Sequence, residues 1–163
     1  MITLIPELPL LLNDLIQNKK TVSVAESFTG GLLSYVLTSL PGSSTVFKEG
    51  IVSYTIESKC SRMHISLSDI EKFGVVSSYI AKQMADLVKE NLCTDFGIGI
   101  TGNAGPTVNT KETKVGEIYI GFSVKSNTIC CPLHLHGTRT EIRENAVMET
   151  IRLFWKFVKG EIV

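Results

Sequence analysis

Three polar or glycine-rich stretches of this sequence each follow an apolar run directly: Glu26 to Gly31, Tyr54 to Lys59 and Thr101 to Pro106. In the first, Ser27 falls where a short strand turns into a helix. A serine there is exposed at a sheet edge and faces unpaired backbone N–H groups, which favour negative charge. Ser27 is therefore the first candidate for a nucleophile, although a strand–turn–helix with a capping Ser or Thr has the same local pattern. Lys59 could act as its base only when neutral, which requires desolvation or a nearby cation to lower its pKa from about 10.4. Tyr54 could relay the proton and hold the serine hydroxyl in place. Taken alone, Lys59 and Tyr54 also read as a surface lysine at a helix start and a half-buried tyrosine.

Thr101-Gly-Asn-Ala-Gly-Pro106 could cradle an anion with its backbone N–H groups, or could be a crossover loop. It is neither a Walker A loop nor a dinucleotide-binding Gly motif. Arg139, at the start of the last helix, suits a phosphate or carboxylate, and Arg143 one turn on could serve instead. Ser43 and Ser44 offer hydroxyls beside the Pro41-Gly42 turn. Cys130, His134 and His136 share one face of a strand, but no further metal ligand is placed, and a half-exposed polar face accounts for them better. Glu26 and Glu57 are too loosely placed for a glycosidase pair.

The elements that must position these residues follow from periodicity and turn signals. Helices are expected over 6–18, 30–40, 56–64, 66–74, 77–93 and 138–159, with Ser66 and Ser77 as caps and Thr138 with Glu141 as a capping box. Strands are expected over 21–25, 46–55, 96–101, 115–125 and 129–136. Pro41 to Ser44 and Asn127 mark turns, and the last two strands form an antiparallel hairpin. This order argues for an α/β fold, a mixed sheet sandwiched between helices. In such sheets ligands gather outside the carboxyl ends of strands, so the three stretches are expected to converge on one crevice.

The chain has 163 residues, enough for one domain with its own core. Sixteen Lys and Arg balance sixteen Asp and Glu, so no basic nucleic-acid footprint exists over the whole chain. The four cysteines show no C-x-x-C pair, which fits a reduced, cytoplasmic compartment. The apolar Leu8 to Leu12 follows Glu7 rather than a basic region, so neither a signal peptide nor a membrane span is expected.

Ala25-Glu-Ser-Phe-Thr-Gly-Gly31, Pro41-Gly-Ser-Ser44, Gly50-Ile-Val-Ser-Tyr54 with Lys59, Gly74-Val-Val-Ser77, Thr101-Gly-Asn-Ala-Gly-Pro106 and Val115-Gly116 occur in this order. The series resembles the CinA C-terminal domain, the nicotinamide-nucleotide amidohydrolase (PncC-type) family, over about residues 6 to 158. The resemblance implies a three-layer α/β/α sandwich, usually a homo-oligomer. It also implies deamidation of nicotinamide mononucleotide to nicotinate mononucleotide and ammonia, without a metal or cofactor. It places the nucleophile on Ser27 and its helpers on Tyr54 and Lys59. Substrate contacts fall on Phe28, Thr29, Gly30, Ser44, Thr101, Gly102 and Arg139. The alternative is a non-catalytic nucleotide-binding or regulatory CinA-like protein. The sequence departs from the family pattern at Phe28, commonly a small Cys, at Asn103, commonly apolar, and in residues 107–114, which lack further glycines.

Overall fold

The computed structural model describes residues 5–107 and 113–162. Its elements run α1 (Glu7–Gln17), β1 (Val22–Glu26), α2 (Leu32–Leu37), α3 (Ser43–Val46), β2 (Phe47–Val52), α4 (Ile56–Met63), α5 (Leu67–Phe73), α6 (Ser78–Asn91), β3 (Phe96–Gly102), β4 (Glu117–Val124), β5 (Asn127–His134) and α7 (Arg139–Val158). The strands form one sheet in the order β2-β1-β3-β4-β5. β1 pairs parallel with β2 and β3, whereas β3, β4 and β5 pair antiparallel, so the sheet is mixed as the element order implied.

Side-chain alternation divides the strands between two apolar layers. Val24, Ile98, Ile100 and Phe122 join a core with α1, α2 and α7 on one face. Ala25 joins Met63, Ile70, Ile80 and Met84 of α4, α5 and α6 on the other. The fold is thus a three-layer α/β/α sandwich. On the α6 side β3 presents Gly97 and Gly99, and the helix backbone comes so close that a Cβ on Gly99 would lie 2.3 Å from the Ala81 carbonyl oxygen. That spacing excludes any side chain, which accounts for the Phe-Gly-Ile-Gly-Ile alternation of this strand.

The helix starts follow their expected caps. Ser66 and Ser77 accept from the N–H groups of Asp69 and Ile80, and Thr138 forms a full capping box with Glu141. Other boundaries differ from expectation. β2 stops at Val52 because Thr55 is needed as the cap of α4, accepting from the Ser58 N–H. The segment read as a plain turn at Pro41 to Ser44 continues into the single helical turn α3, and α2 ends at Leu37. The hairpin turn falls on Lys125, at φ 51°, and Ser126, while Asn127 already pairs with Val124. No helix of the described residues is long and apolar enough to cross a membrane.

Register sets up the site. Glu26, the last residue of β1, pairs with Val52 of β2 and Ile100 of β3. Ser27, Ser53 and Thr101 therefore follow one another across the same carboxyl edge of the sheet.

Candidate active site

Ser27 leaves β1 with its N–H donating to the Ile100 carbonyl at 3.1 Å and its own carbonyl accepting from Gly30 N–H at 3.0 Å. This closes a tight turn that Gly30 and Gly31 continue at φ 61° and 96°. The turn presents Ser27 to α4, whose first turn carries Lys59. Lys59 is wholly buried, and its Nζ lies 2.9 Å from Ser27 Oγ and 2.6 Å from the Ser53 carbonyl oxygen. No carboxylate pairs with it among the described residues. Burial, opposed only by the charge of Cys60, pushes its pKa down to about 8. A neutral Nζ keeps two N–H donors and one lone pair. With one donor on Ser53, the lone pair can receive the Ser27 hydroxyl proton.

The start of α2 does not await an external anion, contrary to the sequence-based expectation. Glu26, fully buried, accepts from the N–H groups of Gly31 and Leu33 at 3.1 and 3.0 Å through one oxygen. Its other oxygen accepts from Ser34 N–H and Ser34 Oγ at 2.8 and 2.6 Å. The helix terminus is thus neutralised from within the chain. Among the described residues, the backbone N–H groups of Phe28 and Thr29 donate to no protein acceptor. Nothing local flagged this role for Glu26, since a carboxylate before a serine reads equally as a solvated charge.

An open cleft of about 270 Å³ lies over Ser27, lined also by Phe28, Tyr54, Gly102 to Gly105, Thr107 and Arg139. All three chemistry-bearing stretches therefore meet here. Phe28 is buried in the core beneath the cleft, and its ring edge occupies the space that a Cβ on Gly102 would need, 2.9 Å away. Tyr54 and Arg139 stand at the exposed mouth: Arg139 Nη2 donates to the Tyr54 hydroxyl oxygen and Nη1 to the Gly105 carbonyl, both at 2.6 Å. No hydrogen bond joins Tyr54 to Ser27 or Lys59 among the described residues, so the structure gives no proton relay through it.

The remaining sequence candidates divide. Thr101 is buried with its hydroxyl donating to the Val75 carbonyl at 2.9 Å, whereas its neighbour Gly102 lies on the cleft wall. Thr29 is fully buried and its carbonyl accepts from Arg143 Nη2 at 2.8 Å. Arg143 packs 3.0 Å from where a Gly30 Cβ would lie, so it braces the serine turn while Arg139 faces the cleft. Ser44 lies in α3, just before Phe47, which pairs with Val22 at the opposite edge of the sheet. It is therefore not part of this cleft. Of the segment after Pro106, residues 108–112 lie outside the described residues. Glu57 is exposed in the first turn of α4, whereas Glu26 is fully buried, its carboxylate on the start of α2. Among the described residues, no group of three or more His, Cys, Asp or Glu side chains could hold a metal, and His134 and His136 stack edge-on with each other.

Comparison with known proteins gives a consistent result. The family model of the CinA C-terminal domain matches residues 9–158. A Clostridium novyi (strain NT) protein named for competence-damage inducibility is 42% identical over 137 residues, covering 84% of this chain and 33% of that protein. A CinA-like protein of Kosmotoga olearia is 42% identical over 128 residues, covering 78% of this chain and 31% of its own length. The chain therefore spans about a third of the curated relatives it matches. The crystal structure of a competence/damage inducible protein from Agrobacterium tumefaciens superposes with a TM-score of 0.87 at 30% identity, covering 92% of both chains.

Proposed function

We propose that this chain, which belongs to the CinA C-terminal domain family, is an amidohydrolase that converts nicotinamide mononucleotide to nicotinate mononucleotide and ammonia. The observation that carries the reading is the buried Ser27–Lys59 pair, 2.9 Å apart and free of any carboxylate partner among the described residues. A lysine held this way, with its pKa lowered to about 8, can shed its proton and serve as a base in the mildly alkaline range.

In this mechanism Ser27 Oγ forms a bond to the carboxamide carbon while neutral Lys59 takes the hydroxyl proton. The carbonyl oxygen becomes an oxyanion, for which the Phe28 and Thr29 N–H groups, next in the chain to Ser27 and without an acceptor among the described residues, are the backbone donors we assign. Each oxyanion donor is typically worth about 3 kcal/mol. The C–N bond then breaks, with Lys59 returning its proton to the departing ammonia and leaving an ester on Ser27. Water attacks that ester, giving a proton to Lys59, and Ser27 leaves with that proton. The product is the carboxylate.

The nucleotide extends toward the cleft mouth. There Arg139 keeps guanidinium N–H groups beyond the two it uses on Gly105 and Tyr54, and these suit a phosphate. Tyr54 accepts from Arg139 and donates to no acceptor among the described residues, so its hydroxyl proton can serve the substrate. Holding the remote phosphate orients the amide over Ser27. The homo-oligomer and cytoplasmic setting implied by the family resemblance belong to the same proposal.

Ammonia release from nicotinamide mononucleotide, nicotinamide riboside and nicotinamide, with and without chelator, tests the reading. Chelator-insensitive release that is strongest on the mononucleotide is expected. Tight binding of the mononucleotide with no release would instead indicate a nucleotide-binding, non-catalytic protein.

A further inference from the structure

Arg143, in the second turn of α7, stands behind the turn that presents Ser27. It is half-buried, and its Nε is closed to solvent and donates to no acceptor among the described residues. A guanidinium stays charged in any protein environment, so a fixed cation is held here partly inside the fold. Nη2 donates to the Thr29 carbonyl at 2.8 Å, and the same oxygen accepts from the Leu32 N–H at 3.2 Å. Gly30 makes room for this approach, because a Cβ there would lie 3.0 Å from Nη2.

The contact leads back to Ser27 through two peptide units. In a trans peptide the C=O and the N–H point to opposite sides. The unit joining Thr29 to Gly30 accepts the Arg143 bond on its carbonyl and gives its N–H to the Ser27 carbonyl at 3.0 Å. The unit joining Ser27 to Phe28 accepts that bond in turn. Its own N–H, on Phe28, therefore points away from the inside of the turn, and it meets no acceptor among the described residues. One chain of hydrogen bonds thus runs from a fixed cation to the backbone donor beside the nucleophile. Bonds in such a chain polarise one another, and here the first is charge-assisted.

We infer that Arg143 is a positioning residue for the oxyanion: acting through the Thr29–Gly30 and Ser27–Phe28 peptides, it orients and strengthens the Phe28 N–H as a donor. This inference rests on the proposed amidohydrolase activity and on the backbone donors assigned there. It gives the two arginines of α7 separate tasks. Arg139 holds substrate at the cleft mouth, whereas Arg143 acts from behind the serine turn without touching substrate. Charge on the carboxamide oxygen is greatest in the transition state, so the effect falls on kcat rather than on KM.

Steady-state ammonia release from nicotinamide mononucleotide by wild type, Arg143→Met, Arg143→Gln and Arg143→Lys, followed as a function of pH, tests it. The methionine variant removes charge and donor, glutamine keeps a neutral donor, and lysine keeps both. Arg143→Met is expected to lose about 10- to 100-fold in kcat with KM changed by less than about threefold. The pH inflection of kcat/KM should stay at the wild-type position, because Lys59 is untouched. Arg143→Lys should recover more of the rate than Arg143→Gln. A lysine variant no faster than the glutamine variant would reduce Arg143 to a neutral brace and overturn the inference. Wild-type kcat in Arg143→Met would overturn it equally. So would a rise in KM alone, which would put Arg143 on the substrate, or a displaced inflection, which would route its effect through Lys59. If the methionine variant lacks a cooperative unfolding transition, the comparison of glutamine with lysine decides. Absence of ammonia release from the wild type overturns the proposed function first and this inference with it.

Discussion

Lys59 Nζ stands 2.9 Å from Ser27 Oγ while it donates to the Ser53 carbonyl at 2.6 Å, and the whole side chain is sealed from solvent. Fold and chemistry meet in this relationship. The parallel register of β1 with β2 brings Ser27 and Ser53 to one edge, and the Thr55 cap starts α4 so that Lys59 turns inward at that edge.

Lys59 must be neutral to receive the serine proton, and burial lowers its pKa to about 8. At pH 7 only about a tenth of free enzyme holds it neutral. Initial-rate measurements should therefore show kcat/KM rising with pH, close to tenfold per unit below the inflection, and levelling above about pH 8. A flat alkaline profile, with chemistry rate-limiting, would exclude Lys59 as the base.

The same group gives a stability prediction of definite sign. Its folded pKa, about 8, lies below the ordinary 10.5, so the unfolded chain binds the proton more tightly. Holding the charged form in the fold costs stability at every pH below about 8. That cost fades as pH rises from there toward 10.5, by roughly 3 kcal/mol in all. Urea unfolding of wild type against Lys59→Met across this range should show the wild type gaining relative stability with pH. A constant difference would contradict the assignment.

Glu26 satisfies four donors at the start of α2. Glu26→Ala should destabilise the fold by about 3 kcal/mol, because buried N–H groups lose their acceptor. A shift of the urea midpoint without a change in m-value would confirm the sign.

Arg139 separates a nucleotide site from a general amide site. Arg139→Ala should raise KM for nicotinamide mononucleotide about 10- to 100-fold and leave turnover of the unphosphorylated riboside nearly unchanged. Equal losses on both substrates would argue against a phosphate contact.

Much of this arrangement is legible in the sequence because its signals are local. The caps at Ser66, Ser77 and Thr138 depend on a side chain and an N–H three residues on, and each forms as expected. The strand ends at Ser27, Tyr54 and Thr101 could be placed together because a parallel sheet collects them at one edge. What escaped sequence reasoning depends on distant geometry. The Ser53 carbonyl is a backbone atom with no sequence signature, and Thr101 is drawn away by Val75 on a separate segment. Ser44 belongs to the far edge because β2 runs parallel to β1, a register that the Pro-Gly-Ser-Ser turn does not encode. Arg139 and Arg143 are alike on paper, and only the packing of α7 against the Thr29 carbonyl separates their roles.

The central claim is that Ser27, activated by Lys59, attacks a carboxamide. It is tested most directly by ammonia release from nicotinamide mononucleotide by wild type and Ser27→Ala at pH 8, both variants showing wild-type unfolding transitions. The account predicts turnover in the wild type and a loss of at least about 10³-fold in kcat in the alanine variant. Equal turnover in the two would contradict it.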